Sequence, residues 1–164
     1  MRTKLIGSSA VALLGLGATA YAATSVTSTF NVKMTIVSQC LAATTSTLNF
    51  PNTGVLSAAV PASTTLQVQC TNSTPYNIGL NQGANGSSVT TRQMKGSTAG
   101  ALISYALYSD AAHTANWGNT IGTDTVAATG NGAAQSYTVY GQVPAQTTPA
   151  PDSYSDTITV TVTY

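Results

Sequence analysis

Glutamate is absent from this 164-residue chain, and charge of either sign is scarce: five Lys and Arg and four Asp make up 5% of the residues. A soluble domain ordinarily carries about a quarter. Histidine and tryptophan occur once each, as His113 and Trp117, and cysteine twice, as Cys40 and Cys70. Each shortage excludes something. So few cations give no electrostatic footprint for nucleic acid and no polybasic patch for a lipid surface. One histidine and two cysteines are too few for a metal centre. The glycine-containing stretches at 83–86 and 130–132 follow no strand-to-helix pattern, so neither is a phosphate cradle. No cofactor, nucleic-acid partner or membrane insertion of the mature chain is expected.

Catalytic sets are equally thin. A nucleophile–base arrangement would have to use His113 with Asp110, and that histidine reads as a solvated loop residue. Asp124 with Asp152 or Asp156 would be a glycosidase-type carboxylate pair, but nothing in the sequence brings them together. The chain is not expected to be an enzyme.

The surface must instead come from Thr, Ser, Asn, Gln, Gly and Ala, a composition that suits β-structure. It also lacks the charges that keep strand edges from pairing. Residues 1–22 read as a signal peptide, with Arg2 and Lys4 before an apolar stretch from Leu5 to Ala18 and the small residues Ala20 and Ala22. Cleavage is expected after Ala22, with Ala20 or Ala23 as neighbouring alternatives. The mature chain then keeps three cations, Lys33, Arg92 and Lys95, against four aspartates, a net charge of −1. Its length suits one domain.

What the chain has in quantity is period two. Phe30, Val32, Met34 and Ile36 alternate with polar residues, and Val26 and Ser28 extend the parity backwards. Short strands are expected at Leu48–Phe50 and Val89–Met94. Longer ones are expected at Thr64–Cys70, Tyr76–Leu80, Leu102–Asp110, Ser136–Val143 and Asp156–Tyr164. In the Leu102–Asp110 segment either parity is apolar enough to face a core. Residues 111–125 and 145–153 read as loops. About seven strands parted by Gly, Pro, Asn and Ser, with no sustained 3.6 period, indicate an all-β, immunoglobulin-like Greek-key sandwich. Two cysteines in an exported chain indicate a disulfide. Cys40 and Cys70 both fall on the inward parity of their strands, which would let them meet across a core. The bond would close a loop of about 30 residues, worth about 3–4 kcal/mol on the chain-entropy model.

Both ends of the mature chain read as strands; the N-terminal one is either the first strand of its own domain or an arm offered to another, and in the second case the sandwich is expected to be short of one. At these residues the chain resembles the spore coat protein U family. The segments that carry the resemblance are Phe30–Ile36 with Cys40, Leu48–Phe50 with Gly54, Leu66–Cys70, Ile103–Asp110, Tyr140–Pro144 and Tyr154–Tyr164. The most specific are the Tyr-x-Leu-Tyr-x-Asp and Tyr-Ser-Asp-Thr strands.

Members of that family include pilin subunits of archaic, Csu-type chaperone–usher pili. The resemblance implies an incomplete six- to seven-stranded sandwich whose missing strand is supplied in trans. A periplasmic chaperone would lend it first. At the outer-membrane usher, the N-terminal arm of an identical or related subunit would replace it. On this reading residues 23–34 are the donor arm, with Val26, Ser28, Phe30, Val32 and Met34 as plugs. Residues 35–164 are the single pilin domain, with Ile158, Val160, Val162 and Tyr164 of its C-terminal strand at the acceptor groove. The protein would pass through the periplasm to a surface pilus serving adhesion or biofilm formation. The alternative is a self-complete secreted sandwich, acting as a coat or matrix protein or a carbohydrate-binding module.

Overall fold

The computed structural model describes residues 21–44 and 46–164, so the expected leader lies outside them except for Tyr21 and Ala22. By backbone proximity the chain divides into Met1–Met34 and Thr35–Tyr164. Of the first unit, residues 21–34 carry no regular secondary structure, and every side chain among them is exposed. The expected strand over Phe30–Ile36 is therefore not formed. Alternation fits a residue run for a strand, but a strand exists only where a partner takes up its backbone groups.

The second unit contains β1 (Cys40–Thr44), β2 (Val60–Cys70), β3 (Pro75–Leu80), β4 (Arg92–Gly96), β5 (Leu102–Tyr108), β6 (Val126–Thr129), β7 (Ala134–Val143), β8 (Tyr154–Ser155) and β9 (Val160–Thr163). They form a six-stranded sheet in the order β1-β2-β7-β5-β4-β8 and a three-stranded sheet in the order β6-β3-β9. Every pairing is antiparallel. Among the described residues there is no helix. This is the expected all-β, two-sheet sandwich.

The core follows from the alternation. Leu66, Val68 and Cys70 of β2 turn inward, as do Val139 and Val143 of β7 and Ile78 and Leu80 of β3, and all join one buried cluster. In β5 the open parity resolves to Tyr105 and Leu107, both buried, while Leu102 is exposed. The disulfide is formed, with a Cα–Cα distance of 4.1 Å. Its cysteines are direct partners in the β1–β2 ladder, so the bond joins neighbouring strands of one sheet rather than spanning the core.

Other boundaries moved for identifiable reasons. The first strand of the sandwich is Cys40–Thr44, a stretch for which no strand was expected. Leu48–Phe50 forms no strand. β2 starts four residues before the expected Thr64 and includes Pro61, opposite Gln142. β2 is laddered to β7 over Val60–Gln69, whereas its pairing with β1 covers Leu66–Cys70, so Pro61 lies outside the doubly laddered part, where a proline is better tolerated. β4 begins three residues later than Val89, because Ser88–Thr91 closes a turn through Thr91 N–H to Ser88 O at 3.1 Å. β6 emerges from a stretch without clear alternation.

Of the expected Asp156–Tyr164 strand only Val160–Thr163 forms, and Tyr154–Ser155, just before it, is a separate short strand. Tyr154 and Ser155 pair with β4 in the larger sheet, whereas Val160–Thr163 pair with β3 in the smaller one. The chain changes sheets between them, at Asp156.

Candidate docking cleft

Six strands opposite three leave part of the larger sheet's inner face without a strand above it. Two neighbouring clefts, of about 640 Å³ and 780 Å³, lie there. Both are lined by Leu48, Phe50, Met94 and Tyr154. The smaller is floored by core residues of the larger sheet, Leu66, Leu107 and Val139, and walled on one side by Ile158 and Val160. The other wall is Leu48–Phe50. Gly141 of β7 allows that wall to sit close, since a Cβ there would fall 2.9 Å from Leu48 Cδ1 and 3.0 Å from Phe50 Cζ.

Among the described residues β9 is the outer strand of its sheet and is laddered only to β3, through Leu80 with Val160 and Ile78 with Val162. Its other edge has backbone groups on offer, as any edge strand does. β1, the outer strand of the larger sheet, lies close to β9, so both sheets end on this side.

The sheet change at Asp156 is held by its carboxylate. Oδ1 accepts from Ala84 N–H at 2.8 Å and from Asn85 Nδ2 at 3.1 Å. Oδ2 accepts from the Tyr105 hydroxyl at 2.7 Å. Gly83 closes the cradle at φ 84°, where a Cβ would sit 1.9 Å from Oδ2, so glycine is required for both conformation and space. Burial, and then the bond to Asp156, push the Tyr105 phenol above its ordinary value. It therefore remains a donor.

Arg92, on the inward parity of β4 with Met94, is fully buried and held by carbonyls. Nε donates to Asn81 O at 2.9 Å and Nη1 to Val89 O at 2.8 Å. Nη2 donates to Leu80 O at 3.0 Å and Trp117 O at 2.8 Å. Desolvation lowers its pKa, opposed by the nearby Tyr105, Asp124 and Asp156. Trp117, expected in a loop, is 1% exposed. Its Nε1–H donates to Ile78 O at 2.9 Å and its backbone N–H to Leu107 O at 2.9 Å, so it ties the two sheets together. The parity of Arg92 and the uniqueness of Trp117 were the only signals for these roles.

The residues singled out from the sequence fall as follows. Val26, Ser28, Phe30, Val32 and Met34 are all exposed, Val26 at 96% and Phe30 at 87%. Ile158 and Val160 line the cleft, and Val162 packs against the core beside them. Tyr164 is 59% exposed, follows β9 and is not part of the cleft lining.

His113 is not a solvated loop histidine. Its ring packs edge-on against Tyr108 and Tyr140, at centroid distances of 5.2 and 6.3 Å. The neighbouring Asp110 carboxylate is occupied by Thr114 and Ala115, so no base–carboxylate set is assembled. Asp124, Asp152 and Asp156 each serve a different loop, at Thr120, at Ser97–Ala99 and at Ala84–Asn85. Among the described residues no helix is long and apolar enough to cross a membrane.

Comparison with known proteins places this architecture. A chain in the crystal structure of the CsuC–CsuE chaperone–tip adhesion subunit pre-assembly complex, from archaic chaperone–usher Csu pili of Acinetobacter baumannii, superposes with a TM-score of 0.60. The two are 20% identical, over 79% of this chain and 41% of that one, so what they share is the fold. A chain of a chaperone–tip adhesin complex concerned with CFA/I fimbriae biogenesis matches at a TM-score of 0.39 and 17% identity, over 77% of this chain and 41% of its own. This chain thus spans about two fifths of the length of each. No curated protein matches it. The family model of the Spore Coat Protein U domain matches residues 26–161, most of the sequence, and the chain belongs to that family.

Proposed function

We propose that the protein is a structural subunit of a bacterial surface pilus of the chaperone–usher kind, polymerised by donor-strand complementation. The observation that carries this reading is the apolar cleft beside the free edge of β9, over an inner face that the three-stranded sheet leaves uncovered. A strand laid between β9 and Leu48–Phe50 would extend the smaller sheet and cover that face.

The arm is suited to be that strand. Its exposed apolar residues recur at every second position, so its backbone could ladder to β9 while alternate side chains entered the cleft. Burying Phe30, Val32 and Met34 would stabilise the contact by about 1.5–3 kcal/mol each. The occupant is another subunit in the fibre and, before assembly, a strand of a periplasmic chaperone. An outer-membrane usher would exchange one for the other. Residues 1–22 would direct export, and the finished fibre would serve attachment to surfaces. The roles are those of packing and edge pairing, and they require no catalytic group.

Purified residues 23–164, expressed without a chaperone, test this. The expected products are polymers or strand-swapped oligomers, seen by size-exclusion chromatography and electron microscopy. A stable monomer would overturn the proposal.

A further inference from the structure

The arm's plug series is apolar at Val26, Phe30, Val32 and Met34 and carries a hydroxyl at one position, Ser28. The smaller cleft has one charged lining residue, Asp156, and its carboxylate is bonded to Tyr105 of the cleft floor. A carboxylate offers about four acceptor positions. Among the described residues three bonds reach Asp156, from Ala84, Asn85 and Tyr105. In an open cleft water can serve the remaining position. A strand laid along β9 excludes that water, and a buried acceptor short of a donor is costly. A Val, Phe or Met plug has no donor to give, whereas a serine hydroxyl has one.

Resting on the donor-strand reading above, we propose that Ser28 sets the arm's register in the cleft of a second copy by donating to the Tyr105–Asp156 pair. Val26 and Phe30 are then seated about 7 Å to either side, away from the carboxylate. A slip of two residues places an apolar plug over the carboxylate. A slip of one turns the whole plug series outward. In the correct register Thr27, Thr29, Asn31 and Lys33 face away from the core, and the arm's one cation stays at the surface.

The test compares fibres of residues 23–164 carrying Ser28→Val, Ser28→Thr or Thr27→Val, by their rate of dissociation into subunits in denaturant. Ser28→Val should dissociate about tenfold faster than the unmodified fibre, the cost of leaving a buried acceptor unmet. Ser28→Thr, which keeps the hydroxyl, should restore the slow rate. Thr27→Val, the same kind of change on the opposite parity, should match the unmodified fibre. Failure of Ser28→Val alone to polymerise also supports the proposal. It is overturned if Ser28→Val fibres last as long as the unmodified ones or longer, which is what a purely apolar cleft would give. It is also overturned if Ser28→Thr fails to rescue. Absence of any polymer from the unmodified chain is a different result: it removes the donor-strand reading and this proposal with it.

Discussion

Tyr105 donates its hydroxyl hydrogen to Asp156 across 2.7 Å, joining the middle of β5 to the point where the chain passes from one sheet to the other. Tyr105→Phe keeps the ring and removes this bond. The subunit should lose about 1–3 kcal/mol, because a buried acceptor loses a partner. Chemical denaturation of a self-complemented subunit, with the arm sequence joined after Tyr164, measures it. An unchanged midpoint would mean that the bond does not hold the sheet change.

Arg92→Lys should be far from conservative. A guanidinium meets four carbonyls from fixed directions, whereas an ammonium has three donors and a shorter reach. The expected loss is about 1–3 kcal/mol. Trp117→Ala should cost about 3–5 kcal/mol through the cavity it leaves. Thermal melting of the same self-complemented subunit reads both.

Stability should fall at both ends of the pH scale, through different groups. Hydrogen bonds to Asp152, first from Ser97 and then from the Thr98 and Ala99 amides, hold its carboxyl well below the usual range, and Thr114 and Ala115 lower Asp110. A depressed folded-state pKa contributes stability that is present above the unfolded value and is lost as pH falls below about 4. Asp152→Asn should flatten this acid limb. Burial raises the Tyr76 and Tyr105 phenols. Their contribution is present below the unfolded value and is lost as pH rises past about 10. Denaturant midpoints from pH 2 to 11 would trace both limbs.

Replacing Cys40 and Cys70 by Ser opens a loop with a sequence separation of 30 and should cost about 3–4 kcal/mol. Equal melting of the double variant and the parent would remove this contribution.

Phe30→Asp should leave the subunit's own sandwich intact, since the Phe30 side chain is exposed, yet should stop polymerisation by placing a charge where an apolar plug is needed. Fibres from purified Phe30→Asp subunits would show that the donor assignment is wrong.

How much of this was legible in the residues varied with the physics. The alternation of Leu66, Val68 and Cys70 and of Ile78 and Leu80 marked buried strands, because period two is sufficient where both neighbours are present. The alternation of Phe30, Val32 and Met34 is equally regular and forms no strand, because pairing is not written in a single segment. Asp156–Tyr164 read as a strand along its whole length for the same reason: its parity runs unbroken through residues 156–159, which cross between the sheets and which Tyr105, Ala84 and Asn85 hold at Asp156 from elsewhere in the chain. Trp117 fell in an expected loop and Arg92 in an expected short strand without a role for either, because their partners are backbone carbonyls, which leave no pattern in sequence. The acceptor groove was expected at Ile158, Val160, Val162 and Tyr164; Ile158 and Val160 line the cleft and Tyr164 does not, and the Leu48–Phe50 wall, which depends on the bare Gly141, needed the fold to be seen.

The most direct measurement is the melting temperature of Thr35–Tyr164 with residues 24–36 joined after Tyr164 through a short turn, set against the same chain whose added segment carries Phe30→Asp. The account predicts a monomer in the first case, melting at least about 10 °C higher, since several kcal/mol of plug burial are at stake and each shifts melting by several degrees. Equal melting temperatures would contradict it.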